Sequence, residues 1–133
     1  MALPGGCMCG AVRYEAHGAP FNSTLCHCTD CRKASGAPAL AWFSVASNAL
    51  RWTAGQPQVY RSSNEGVRGF CAACGTTLTY QSDRWPDEID IATCSLDDPE
   101  QVPPADHTFV HSRLRWLLLA DGLPQFQTTR ANG

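Results

Sequence analysis

The stretch "CHCTDC", residues 26 to 31, sets three thiols and an imidazole within six residues. Thiolates in this C-x-C-x-x-C spacing can converge on one soft cation, and zinc is the usual one. Three protein ligands leave a coordination position for an exchangeable group, the pattern of a catalytic rather than a structural zinc. A site made of Cys26, Cys28 and Cys31 disfavours a hydroxide-like ligand and favours a soft one, in particular an external thiol. The metal would lower that thiol's pKa and present it as thiolate at neutral pH. Two readings compete with this one. Either His27 or Cys94 closes the tetrahedron and makes the site structural, or the triplet is a redox pair with a spare thiol. His27 lies between two ligands, so on a strand its side chain points away from both. Cys94 stands alone on an expected strand, where a buried free thiol is the commonest meaning.

Two close pairs flank the triplet: "CMC" at Cys7 and Cys9, and "CAAC" at Cys71 and Cys74. Each is followed by a glycine, Gly10 and Gly75, as in knuckle turns whose backbone N–H groups point at sulfur. Two such turns, far apart in sequence, deliver four sulfurs to one metal, and a closed tetrathiolate is a structural zinc site. A β protein with small sheets has little core near its edges, and such an ion supplies the missing cross-link.

The surrounding chain supports metal ligation over disulfides. It has 133 residues, 44% hydrophobic and 17% charged, which suits one globular domain over 1–133. The net charge of −2 excludes the strongly basic surface that nucleic acid would require. The longest strongly apolar run, "WLLLA" at 116–120, is far too short to span a bilayer. The opening "MALPGGCMCG" lacks the charged and apolar regions of a signal peptide. A cytoplasmic location is therefore expected, where thiols stay reduced and eight cysteines read as metal ligands.

The elements that must position these residues are short. Strands are expected at 10–16, 22–28, 39–45, 49–55, 58–63, 67–71, 76–81, 88–96 and 107–113, each bounded by Gly, Pro, Ser or Asn. Residues 29–36 read as a short helix, with Thr29 or Asp30 as N-cap and Gly36 as stop. Asp97 and Asp98 before Pro99 read as an N-cap or turn rather than an acid/base pair. No long amphipathic pattern appears, so the fold class is mainly β.

The blocks "GGCMCGAVRY", "CHCTDCRKASGAP", "RGFCAACGTTLTY", "IATCSLDDPE" and the closing "DGLPQF" occur in this order over about residues 5 to 126. Together they resemble the glutathione-dependent formaldehyde-activating enzyme family, which includes the centromere protein V domain. The resemblance implies a β-tent fold of short antiparallel sheets with two zinc ions. It places the structural zinc on Cys7, Cys9, Cys71 and Cys74, and the catalytic zinc on Cys26, Cys28 and Cys31. The implied activity is condensation of formaldehyde with glutathione to S-hydroxymethylglutathione, formally a carbon–sulfur lyase run in reverse. One departure is Cys94, where the family commonly has a small residue.

Such a reaction needs a proton donor for the developing alkoxide, and His27, Ser35 and His107 are the candidates. Glutathione carries two carboxylates, so cations are needed near the pocket. The +4 of two zinc ions and the −7 of seven thiolates would take the net charge from −2 to about −5. Arg32 and Lys33 follow the last ligand and are the first candidates, with Arg61, Arg68, Trp85 and Arg113 as further rim residues. Trp42 and Phe43 are candidate walls, with core packing as the competing role. Two other classes remain open: a carrier that binds glutathione or another small thiol without turnover, and a structural zinc domain for protein association. Oligomeric state has no signature in the sequence.

Overall fold

Short alternating runs broken by Gly and Pro fold as strands in the computed structural model, which describes residues 2–130. Residues 1 and 131–133 of the expected domain lie outside the described residues. The strands are β1 (Ala2–Gly6), β2 (Arg13–His17), β3 (Phe21–Cys26), β4 (Leu40–Ala46), β5 (Leu50–Ala54), β6 (Gln58–Arg61), β7 (Gly66–Phe70), β8 (Thr77–Ser82), β9 (Glu88–Ala92) and β10 (Asp106–Thr108). The single α-helix among the described residues, α1, spans Thr29–Ser35. The fold is mainly β, and no described helix is long and apolar enough to cross a membrane.

The strands form two sheets. The smaller has the order β1-β2-β5 and is antiparallel throughout. The larger has the order β10-β3-β4-β9-β8-β7-β6, antiparallel except where β10 runs parallel to β3. Strand β1 was not expected from its sequence, because Pro4 and two glycines argue against a strand. It lies at a sheet edge, where proline costs no ladder hydrogen bond.

Strand β4 divides the interior. Four consecutive residues, Trp42 to Val45, are buried, as required of a strand covered on both faces. Phe43 and Val45 point to a core shared with Tyr14, Leu78, Ile91 and the smaller sheet. Burying each large side chain there contributes roughly 1.5–3 kcal/mol. Trp42 points the other way, into a second cluster with Cys26, Cys31 and Ala92. Phe43 is thus core, and only Trp42 of the two candidate walls faces the second cluster.

Two elements end differently from expectation. The ladder of β9 stops at Ala92, paired with Trp42, and residues Thr93–Ser95 form a 3-10 turn. Cys94 consequently sits exposed on that turn and not buried on a strand. Asp97 makes a bidentate pair with Arg13 at 2.9 and 2.6 Å, tying β2 to this turn, while Asp98 caps the turn Pro99–Gln101 through the N–H of Glu100.

Candidate metal centres and the adjoining cavity

Both knuckle turns form as their glycines demand. Gly10 donates to the carbonyl of Cys7 and Gly75 to that of Cys71, each with positive φ of 82° and 80°. Backbone N–H groups reach the first sulfur of each turn: Val12 to Cys7 Sγ at 3.2 Å and Cys74 to Cys71 Sγ at 3.4 Å. The turns face each other, with Cys7–Cys9 and Cys9–Cys71 sulfur separations of 3.6 and 3.8 Å. A tetrahedral zinc with bonds of ~2.3 Å sets its sulfurs ~3.8 Å apart, so this donor set fits the ion. Thr76 joins the turns: its Oγ1 accepts from the N–H of Met8 and lies 3.2 Å from Cys74 Sγ. That hydroxyl holds the Cys74 thiol down at about 5. Because Cys7 follows β1 and Cys71 follows β7, the cluster links the two sheets.

The triplet is built around one helix end. Cys26 closes β3, Cys28 is the N-cap of α1, and Cys31 lies in its first turn. The N-cap is Cys28 rather than Thr29 or Asp30: its Sγ accepts the N–H of Cys31 at 3.3 Å. Gly36 terminates the helix in the left-handed conformation, as its position predicts. The three sulfurs lie within 4.8 Å of one another, a spacing that can hold a metal ion. Ionisation falls first on Cys28, held down to about 2 by hydrogen bonds from the Cys26 and Cys31 thiols. Cys26 is pushed upward by the same two neighbours and by burial. A dication would replace those shared protons.

Among the described residues, neither His27 nor Cys94 brings a ligand atom into this group. His27 is fully buried behind the thiols, with Nε2 3.0 Å from Nδ1 of His107. His107 in turn lies 2.9 Å from Asp121 through its Nε2. This chain ties the segment after β10 to the loop that carries the triplet. Ser112 reinforces it by donating to the carbonyl of His27.

A cavity of about 540 Å³ opens beside the triplet and is lined by all three of its cysteines. Trp42 lines it and donates Nε1–H to Cys31 Sγ at 3.3 Å. Arg68, 9% exposed, brings Nη1 and Nη2 to 3.9 and 3.8 Å of the same sulfur. Its guanidinium lies 4.9 Å above the Tyr80 ring, and its Nε donates to Ser62. Tyr80, Asp90 and Ser44 continue the floor. Phe109, His111 and Arg130 form a wall from the C-terminal segment, and Phe109 holds the left-handed conformation with φ 56°.

Several expected residues lie elsewhere. Arg32 spends its guanidinium on the carbonyl of Ser112, and Ser35 donates back to Cys31 O within the helix. Lys33 is exposed, and none of Arg32, Lys33, Ser35, His27 or His107 lines the cavity. Arg61 pairs with Asp83, Arg113 binds the carbonyl of Leu117, and Trp85 is exposed; none of the three reaches the cavity. Asp90, Tyr80 and Arg130 were missed. Their only sequence signal was polarity at alternate positions of otherwise apolar strands, or a charge near the chain end.

The model of the family described as glutathione-dependent formaldehyde-activating enzyme matches residues 2–112. A protein of Halomonas elongata, provisionally named as an enzyme of that kind, is 29% identical over 128 residues, covering 88% of this chain and 80% of its own. A crystal structure of a Rhodobacter sphaeroides protein shares the fold with a TM-score of 0.57 at 21% identity, over 93% of this chain and 99% of that one.

Proposed function

Because the chain belongs to the glutathione-dependent formaldehyde-activating enzyme family, we propose that it is a zinc-dependent enzyme of the carbon–sulfur lyase type. Its substrates are glutathione, or a related small thiol, and formaldehyde, and its product is the S-hydroxymethyl adduct. It works in the cytoplasm with two zinc ions, one structural on Cys7, Cys9, Cys71 and Cys74 and one catalytic on Cys26, Cys28 and Cys31. The observation that supports this most is the contrast between the clusters. Four thiols close on each other in one, whereas three thiols line a cavity in the other.

Cys26, Cys28 and Cys31 would hold the zinc, which would supply a soft cationic centre favouring the thiolate form of an incoming thiol. The protein's own groups do the rest. Trp42 Nε1–H fixes the orientation of Cys31 and draws off some of its negative charge. Arg68 offsets the charge that several thiolates concentrate at one end of the cavity. Tyr80 and Phe109 wall the space beside the thiols. In the reaction the carbon–sulfur bond forms, the carbonyl π bond opens, and the proton lost from sulfur ends on the new alkoxide oxygen. Holding both reactants in one cavity supplies much of the rate.

The test is loss of free formaldehyde in the presence of glutathione and zinc-loaded protein. The expected rate exceeds the spontaneous one. A protein that binds glutathione without accelerating the loss is a carrier, and one that does neither is a structural domain.

A further inference from the structure

We propose that Asp90 is the counterion for an ammonium group of the substrate, so that the cavity selects thiols carrying a primary amine several bonds from sulfur. This rests on the reading of the triplet as the thiol site. Strand register places Ser44, Asp90, Tyr80 and Arg68 opposite one another on four successive strands, β4, β9, β8 and β7. All four line the cavity. Side chains in such a row stand ~5 Å apart. The row carries a cation at one end, against Cys31, and a carboxylate toward the other.

The carboxylate is held but not neutralised. Ser44 donates to Oδ1 of Asp90 at 2.6 Å. Among the described residues, no Lys, Arg or His nitrogen pairs with Asp90. The two arginines of the cavity have other partners: Arg130 is bound to Asp106, and Arg68 contacts Cys31 and Ser62. Glu88, on the same strand and also lining the cavity, adds a second negative charge and no cation. Burial pushes the Asp90 carboxyl up to about 6, so holding it ionised at neutral pH opposes folding. A charge kept at that cost, inside a cavity, marks a group that meets a ligand.

Position along β9 favours this role over one at the thiols. Ala92 is paired with Trp42, whose indole touches Cys31, and Asp90 lies two residues back along β9. Two residues of strand are ~6.6 Å, so Asp90 is displaced along the cavity from the strand position whose neighbour touches Cys31. That offset suits the amino end of a γ-glutamyl thiol such as glutathione.

The experiment is calorimetric titration of the zinc-loaded protein with glutathione and with N-acetylglutathione, which keeps the thiol and both carboxylates but loses the ammonium. The wild type should bind glutathione ~10–100-fold more tightly, as expected for a hydrogen bond between charged groups. Asp90→Asn should lose that preference and keep its affinity for the acetylated thiol. Ser44→Ala, which leaves the charge but frees the carboxylate, should lose part of it. Circular dichroism and zinc content verify folding of each variant. A wild type without the preference, or an Asp90→Asn protein that retains it, overturns the assignment. A wild type that binds neither thiol overturns the reading of the triplet itself, and this inference with it.

Discussion

The indole of Trp42 reaches Cys31 Sγ across 3.3 Å from β4, a strand that supplies no thiol to either cluster. Trp42 is 5% exposed and packs between the two strands that carry Cys26 and Asp90. The position of one sulfur is thus set by the centre of the larger sheet and not by the loop alone. Groups that hydrogen-bond a metal ligand tune its basicity and fix its geometry.

Trp42→Phe keeps much of the ring's packing and deletes the donor. We expect a folded protein in which the triplet holds zinc ~10-fold more weakly, while the four-thiol cluster is unchanged. Competition with a chromophoric chelator measures both sites. Equal release profiles for variant and wild type would show that the N–H···S contact has no part in metal retention.

Cys71→Ser removes a sulfur buried at 1% exposure from the cluster that joins the sheets. Structural zinc binding is folding free energy, so the variant should lose one zinc and several kcal/mol of stability. Thermal melting with metal analysis tests this. Wild-type melting with a full zinc complement would refute the assignment of a structural ion there.

Cys28→Ser acts on the other cluster. A serine hydroxyl can still cap α1, so the helix end survives. The expected product is a folded protein with about one zinc per chain and no formaldehyde-consuming activity. Outright unfolding would instead make the triplet a staple of the fold.

Asp90→Asn should stabilise the protein, by an amount that depends on pH. Burial pushes the folded carboxyl up to about 6, from an ordinary value of 3.8. Ser44 opposes that rise by hydrogen bonding, Glu88 adds to it, and Arg130 and Arg68 oppose it. Folded Asp90 therefore holds its proton more tightly than unfolded Asp90. Stability is lost as pH rises between the two values and stays lower above 6. The gain from asparagine should be on the order of 3 kcal/mol at pH 8, where the folded carboxyl is ionised, and clearly smaller at pH 5, where it is largely protonated. Urea unfolding of both proteins at each pH reads it, since acid-induced metal loss acts on both alike. A gain that is the same at the two pH values would contradict a buried, ionised Asp90.

The thiol clusters were legible because metal-ligand spacing is local. Cys26, Cys28 and Cys31 need only a strand end and one helical turn to converge, and Cys71 and Cys74 need only a glycine-closed knuckle. The strands were legible for a similar reason, in that alternation and turn residues act over a few positions. Tyr80 and Asp90 were not, and Arg68 stood unranked among four candidate rim residues, because their meeting depends on the pairing of β7, β8 and β9. Nothing near Arg68 in sequence distinguishes it from Arg61, which turns outward to Asp83. Arg32 and Lys33 looked better placed because they adjoin a ligand. Helix geometry carries them off the cavity, and sheet geometry brings Arg68 in from 37 positions away. The wall from Phe109 to Arg130 was misread at its start, where the strand expected at 107–113 stops at Thr108 and a 3-10 turn follows at Val110–Ser112; the wall is held by scattered pairs such as His107–Asp121 and Arg130–Asp106.

The cross-link between the sheets also imposes an order on synthesis. Cys9 leaves the ribosome 62 residues ahead of Cys71, its neighbour in the finished cluster. Until the second knuckle emerges, the first is a half-built chelate. The triplet at 26–31 emerges complete in the interval. If both clusters take metal, the triplet would be able to bind before the four-thiol cluster could close.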